Sequence, residues 1–286
     1  MFILAIETTG PLGSVALLDE KENVLGYEVS QGTMSHLKDL IPMINTMLNK
    51  CGVSINDVDL LAPSVGPGSF TGIRIGVSTA RALCQALGIR AVPAPTLEAF
   101  CFKETARTAE YVQQIKGGRA ADGQTSVVCR PGTAVCAIIN ARRGQVYGMI
   151  DGFIEPGPYM LTDVIEVYKS KLEPYGCRML FFGDGIDAYE KDIIAALGQP
   201  IGKDVQRGRG AFGTTAAGFE FVPKGDRYQD AVSVGKWAVD RIKRAGGVDG
   251  CTVDYENLMP DYMRRAEAEQ KLESGELPIC KGPKQE

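Results

Sequence analysis

The run Gly66-Pro67-Gly68-Ser69-Phe70-Thr71-Gly72-Ile73-Arg74-Ile75-Gly76-Val77 restricts the fold more than any other part of this chain. Leu60-Leu61-Ala62 ahead of it reads as a short apolar strand, and the residues that follow, to Leu87, repeat with helical period. The unit is strand, glycine turn, helix. Such a turn aims backbone N–H groups at whatever lies above the helix N-terminus. On its own it is a weak anion-site signal, because it lacks both the lysine of a P-loop and the G-x-G-x-x-G spacing of a dinucleotide fold. Ser69 is placed to cap the coming helix, since its hydroxyl can satisfy an orphan amide. It is not a nucleophile of the Gly-x-Ser-x-Gly kind, because the string here is Gly-Pro-Gly-Ser-x-x-Gly, with Pro67 two residues before the serine and the next glycine three residues after it.

Around this unit the pattern is regular. Phe2 to Ile6 is a nearly continuous apolar strand, as expected of a central strand covered on both faces. Ser14–Leu18 and Val24–Val29 follow as strands, then a helix from about Ser35 to Cys51, the strand at Leu60, the helix from Gly72, a strand at Ile89–Val92 and a helix from Thr96. Pro42 inside the first helix predicts a kink or a late start. The order β-β-β-α-β-α-β-α is the half-unit of the two-lobed actin-like ATPase (ribonuclease H-like) α/β fold, which carries that unit twice. A second copy is expected from a hairpin over Ala134–Asp151 turning at Arg142-Arg143-Gly144, helices over 162–175, 189–197 and 231–245, and a strand at 178–182. The division predicted is 1–103 for the first lobe, 104–272 for the second with insertions, and 273–286 as a disordered tail. No apolar run reaches the roughly 18–20 residues of a membrane span, and no leader sequence is read at the N-terminus. The eight cysteines form no C-x-x-C pair and read as reduced thiols.

Two helices carry more apolar surface than one stripe requires. In the first, Leu37, Ile41, Ile44 and Leu48 form one lane, and Leu40, Met43 and Met47 another. In the second, Ile73, Val77, Ala80, Cys84 and Leu87 form one lane, and Ile75, Thr79, Ala82 and Ala86 another. Either both lanes are used inside the chain, or the second lanes form a patch that another subunit covers.

Equipment for catalysis is sparse. A nucleotide enzyme of this fold would hold phosphates over the first turn, near Glu7-Thr8-Thr9-Gly10, and over a second turn such as Gly183-Asp184-Gly185. Glu7 is the only acid at the first, and both strings also suit ordinary turns. The one histidine, His36, excludes a two-histidine metal site and any Ser-His-Asp triad that omits it. With 31 basic against 35 acidic residues, net −4, the chain as a whole is not built to grip nucleic acid alone.

The string from Gly66 to Leu83 closely resembles the signature of the TsaB (YeaZ) family of bacterial tRNA threonylcarbamoyladenosine synthesis. The resemblance covers Phe2 to about Phe100. It resumes at Cys136–Tyr147, similar to the family's D-A-R-x-G-x-V-Y with Asn140 replacing Asp, and again at Met259–Glu267, similar to P-x-Y-L-R. Residues 104–133 and 199–224 depart from it. The resemblance implies a non-catalytic, cytoplasmic subunit that pairs with TsaD, the enzyme that transfers threonylcarbamoyl from its adenylate to N6 of adenosine 37 in ANN-decoding tRNAs. TsaE, an ATPase, would complete the complex. ATP, metal and threonylcarbamoyl-adenylate would belong to the partner subunits, and tRNA would be met only within the complex. Where TsaD has its H-x-E-G-H metal motif this chain has Thr96-Leu97-Glu98-Ala99-Phe100, so no metal ligand is expected. Family members dimerise with TsaD, and with themselves in isolation, through the first two helices. That implies a partner surface of Leu40, Met43, Met47, Ile75, Thr79, Ala82 and Ala86. The rival readings are an ATP-dependent kinase or carbamoyltransferase of the same superfamily and, behind it, a peptidase.

Overall fold

The computed structural model describes residues 1–30, 32, 36–102, 133–201 and 217–263. The expected insertion at 104–133, except its last residue, lies outside them, as do 202–216 and the predicted tail. Ser35 and the His36 side chain are likewise outside.

The first sheet has the order β3-β2-β1-β4-β5, built from β1 (Phe2–Glu7), β2 (Ser14–Asp19), β3 (Val24–Val29), β4 (Leu60–Gly66) and β5 (Arg90–Ala91), with β6 (Ala94–Pro95) also beside β4. β1 runs antiparallel to β2 and parallel to β4. The second sheet has the order β11-β10-β7-β8-β9, from β7 (Thr133–Asn140), β8 (Gln145–Ile150), β9 (Ile154–Met160), β10 (Arg178–Phe182) and β11 (Gly218–Phe221). Here β7 runs antiparallel to β8 and parallel to β10. The two sheets repeat one plan strand for strand, and this is the predicted duplication of an actin-like α/β unit.

Helices α1 (His36–Cys51) and α2 (Phe70–Leu87) cover one face of the first sheet, against Leu4, Ile6, Val15 and Leu17. α6 (Ala231–Arg244) covers the other, against Ile3, Ala5, Ala16 and Leu18. Alternate residues of β1 thus enter two cores, which explains why its sequence is apolar throughout. α6 lies close because Gly235 sits against Leu18; an added Cβ would come within 2.1 Å of its Cδ1. In the second lobe α4 (Leu161–Lys171) and α5 (Gly185–Leu197) pack on their own sheet. Between the lobes α3, described over 96–102, sets Leu97, Phe100 and Cys101 against Val135, Ala137, Ile139 and Phe182.

Several details differ from the sequence reading. The stretch assigned to a second lobe is split: β7–β11, α4 and α5 build that lobe, while α6 and residues 251–258 return to the first sheet. Leu258 enters the first core, and Val253 bridges to Ala91. The physical reason is that β1, apolar on both faces, needs a cover on each. α1 runs through Pro42 as one helix and does not start late. α2 begins at Phe70, two residues earlier than read, because Ser69 accepts from the Gly72 amide at 3.3 Å and closes the first turn. β9 is missing from the sequence reading because Ile-Glu-Pro-Gly-Pro looks like a loop. Prolines are tolerated there because β9 is an edge strand. Among the described residues no helix is long and apolar enough to cross a membrane.

Candidate functional site

The β1–β2 turn, the glycine turn, α3 and the start of α6 meet where an actin-like protein would hold phosphate. Glu7, Thr8, Thr9, Ser64, Thr96 and Gln229 are all buried here. The Glu7 carboxylate accepts from the Thr9 amide and from Thr9 Oγ1, the latter at 2.6 Å. Burial pushes its pKa up, opposed by the hydroxyls of Thr9 and Ser64 and the Thr9 amide. Ser64 and Thr96 hydroxyls are 2.8 Å apart, and Thr96 Oγ1 lies 3.4 Å from Thr9 Oγ1. Gln229 closes over the turn; a Cβ on Gly10 would lie 2.7 Å from its Oε1. Asp230 beside it caps α6, accepting from the Ser233 amide at 2.8 Å.

The glycine turn is pressed onto this floor. Ser69 N donates to Thr9 O at 2.8 Å, and Thr8 Oγ1 donates to Gly72 O at 2.8 Å. A Cβ on Gly68 would fall 2.6 Å from Thr9 O, on Gly72 1.9 Å from Thr8 O, and on Gly76 2.3 Å from Thr8 Oγ1. From the outer side Gly66 meets Asp261 O, while Phe70 stacks on Tyr262 with ring centroids 4.9 Å apart. Arg74 lies over the Phe70 ring at 3.9 Å and donates to Tyr262 Oη at 3.0 Å. Pro67 and Thr71 complete the turn, Thr71 on its exposed side.

The second expected phosphate turn is equally tight. Gly183 N donates to Arg227 O at 3.0 Å, and a Cβ on Gly183 would fall 2.0 Å from Ile138 O. Asp184 Oδ1 accepts from Asn140 N at 3.1 Å. Burial pushes the Asp184 carboxyl up to about 6. An unfolded aspartate titrates near 3.9, so between those pH values the folded chain keeps a proton the unfolded chain has lost. Stability therefore falls as pH rises through that window and carries the whole deficit above pH 6. Allowing for partial solvent screening, Asp184→Asn is expected to raise unfolding free energy by about 1–2 kcal/mol at pH 7.5. The gain should vanish near pH 4. Urea unfolding at the two pH values measures it.

Arg142, Arg143 and Gly144, at the tip between β7 and β8, have φ of 65°, 54° and 76°. Left-handed backbone costs a non-glycine residue about 1–2 kcal/mol. The tip is braced from below: Asn140 Oδ1 accepts from Arg142 N at 2.8 Å, and Tyr189 Oη accepts from Gly144 N at 3.1 Å. Both arginine side chains are exposed.

The implied partner surface divides in two. On α2, Ala82 and Ala86 are exposed and Ile75 and Thr79 half-buried, in one outward stripe. On α1 the expectation is corrected. Leu40, Met43 and Met47 lie in the first core at 1%, 8% and 1% exposure, and Ile41, assigned to the inner lane, is 47% exposed. The helix is rotated relative to that reading because Met47 packs over Gly26 of β3 and Leu40, Met43, Ile44 and Leu48 fill the space above β1 and β2. Thr96 and Phe100, at the positions aligned with metal histidines, are engaged in packing. Thr96 bonds to Ser64, and Phe100 meets Phe182 edge-on at 4.5 Å. Among the described residues no group of three or more His, Cys, Asp or Glu is placed to hold a metal. Gln229 and the two strained arginines went unrecognised in the sequence as special. An Asp-Ala step opening a helix is a cap signal that could have located the first.

The fold and this closed interlobe centre define a protein of the actin-like α/β class. The chain belongs to the family whose model is described as TsaD, tRNA N6-adenosine threonylcarbamoyltransferase, matched over residues 30–173. It is 29% identical over 279 residues to the tRNA threonylcarbamoyladenosine biosynthesis protein TsaB of Bacillus subtilis, covering 95% of this chain and 97% of that one. It is 31% identical to the protein of that name from Escherichia coli over 147 residues, 51% of this chain and 53% of that one. YeaZ from Pseudomonas aeruginosa superposes with a TM-score of 0.58 at 21% identity, covering 91% of this chain and 99% of that structure.

Proposed function

We propose that this chain is the non-catalytic scaffold subunit that pairs with a TsaD-like threonylcarbamoyltransferase in tRNA threonylcarbamoyladenosine synthesis. The observation that carries this reading is the state of the two glycine turns. The amides of Ser69, Gly72 and Gly183 donate to Thr9 O, Ser69 Oγ and Arg227 O, and a Cβ built on Gly68, Gly72 or Gly183 would meet the main-chain oxygen of Thr9, Thr8 or Ile138. A phosphate approaching either turn would have to displace those bonds. The buried Glu7 carboxyl at the first turn would also repel it whenever ionised.

The docking surface is the outward stripe Ile75, Thr79, Ala82 and Ala86 of α2. Small residues at such spacing let a partner helix approach closely. ATP, metal and threonylcarbamoyl-adenylate are held by the partner subunits, a TsaE-like ATPase joins through the complex, and the isolated chain pairs with itself through the same stripe. On this reading it works in the cytoplasm, beside its tRNA substrate.

Two measurements test the reading. Size-exclusion chromatography with the TsaD-like subunit of the same organism should give a joint peak that replaces the self-associated one. Calorimetric titration of the isolated chain with ATP and Mg²⁺ should give no saturable heat at tens of micromolar nucleotide. Tight nucleotide binding with turnover, and no joint peak, would instead establish an ATP-dependent enzyme.

A further inference from the structure

The tip at Arg142-Arg143 occupies, in the second lobe, the topological place that Thr8–Gly13 occupies in the first. The two tips are otherwise opposite. In the first, Thr8, Thr9 and Gly10 are buried and uncharged. In the second, two arginines stand exposed on left-handed backbone where Asn or Gly would sit without strain. Three features show that the arrangement is held in place. Asn140 accepts from the Arg142 amide, Tyr189 accepts from the Gly144 amide, and Asp184 accepts from the Asn140 amide. Strained residues persist where surrounding structure over-determines them, and they concentrate at sites of function.

We propose that Arg142 and Arg143 form a phosphate-recognition finger that contacts the sugar–phosphate backbone of the RNA substrate of the assembled complex. Guanidinium is the side-chain group best matched to phosphate, through paired N–H donors in a rigid fork. A projecting tip with two such groups suits a groove-lined polyanion better than a flat protein face, whose centre is usually apolar and aromatic. The chain carries net charge −4, so a local basic point is needed if it is to meet RNA at all. The inference rests on the scaffold reading above, since the RNA arrives with the partner.

The experiment uses the full chain co-purified with its TsaD-like partner and an unmodified ANN-decoding tRNA, followed by fluorescence anisotropy across a salt series. R142N/R143N removes both charges at positions where Asn tolerates the backbone. Expected are an unimpaired joint peak, a melting temperature a few degrees higher from relieved strain, roughly tenfold weaker tRNA binding near 0.15 M salt, and a salt slope shallower by about 2. R142K/R143K should restore the salt slope, because the charges return, but only part of the affinity, because the paired donors of the guanidinium fork do not. Unchanged tRNA affinity and slope in R142N/R143N would overturn the proposal. So would loss of the joint peak in that variant with wild-type assembly intact, which would make the tip a protein contact. Competition of ATP for the tip, with tRNA binding insensitive to the substitutions, would make it a nucleotide contact and overturn it too. If the wild-type chain forms no joint peak, the scaffold reading has failed and the finger falls with it.

Discussion

Met43→Asp is expected to unfold the chain, whereas Ala82→Glu is expected to leave it folded and abolish partner binding. Both positions carry the same sequence credentials, an apolar residue in the surplus lane of an amphipathic helix. Their surroundings differ. Met43 sits 8% exposed among Leu40, Ile44, Met47 and the apolar residues of β1 and β2, while Ala82 faces outward. A carboxylate in place of Met43 loses the packing of a buried side chain and must either ionise in an apolar core or take up a proton. The combined cost is about 4 kcal/mol or more, within reach of the whole stability of an ordinary domain. An exposed Ala82→Glu changes stability by about 0.5 kcal/mol or less. At the proposed interface it would nevertheless put an unpaired charge into a close helix–helix contact, where burial without a partner is costly. Circular dichroism melts and co-elution with the TsaD-like subunit separate the two effects. A folded Met43→Asp protein that fails to bind would return Met43 to the interface; a folded Ala82→Glu protein that still binds would remove α2 from it.

That contrast marks how far the sequence could be read. The strand and helix positions of the first lobe were legible because period 2 and period 3.6 are imposed by backbone geometry. The duplication was legible as an order of elements, although no residue string repeats. The rotation of α1 was not, because two apolar lanes a quarter-turn apart give no preference until the sheet below is in place. Gly26, which admits Met47, decides it, and a lone glycine in a strand does not announce which neighbour it serves. The return of α6 to the first sheet was illegible for the same reason. Its apolar face suits either sheet, and only the two-faced burial of β1 demands it. At the interlobe centre, Glu7, Ser69 and the two glycine turns stood out in the sequence, but their bonds to one another depend on contacts over 60 residues apart, such as Thr8 with Gly72.

Those contacts make a second large prediction, in which two glycines of one helix respond differently to one rescue. Gly72→Ala should cost about 3 kcal/mol, since its Cβ would fall 1.9 Å from the Thr8 carbonyl oxygen and the backbone must move. Gly76→Ala should cost about as much, but its obstruction is the Thr8 hydroxyl at 2.3 Å, with the rest of that side chain at 3.5 Å or beyond. Thr8→Ala alone forfeits the 2.8 Å bond to Gly72 O, about 1 kcal/mol. Combined with Gly76→Ala it should recover much of the loss, giving a coupling energy of about 1–3 kcal/mol. Combined with Gly72→Ala it should recover nothing, because the obstructing atom is main chain. Gly88→Ala serves as the reference. It caps α2 at φ 67° with nothing within 4 Å, so it should cost only about 1 kcal/mol, from backbone strain. Urea melts of these variants decide what the glycines are for. A turn kept open for a ligand would tolerate a methyl group in the ligand's absence, and its substitutions would not couple to Thr8. A turn closed onto its neighbour produces the asymmetric cycle, and it leaves α2 fixed against β1, as the proposed docking of a partner subunit on its outer face would require.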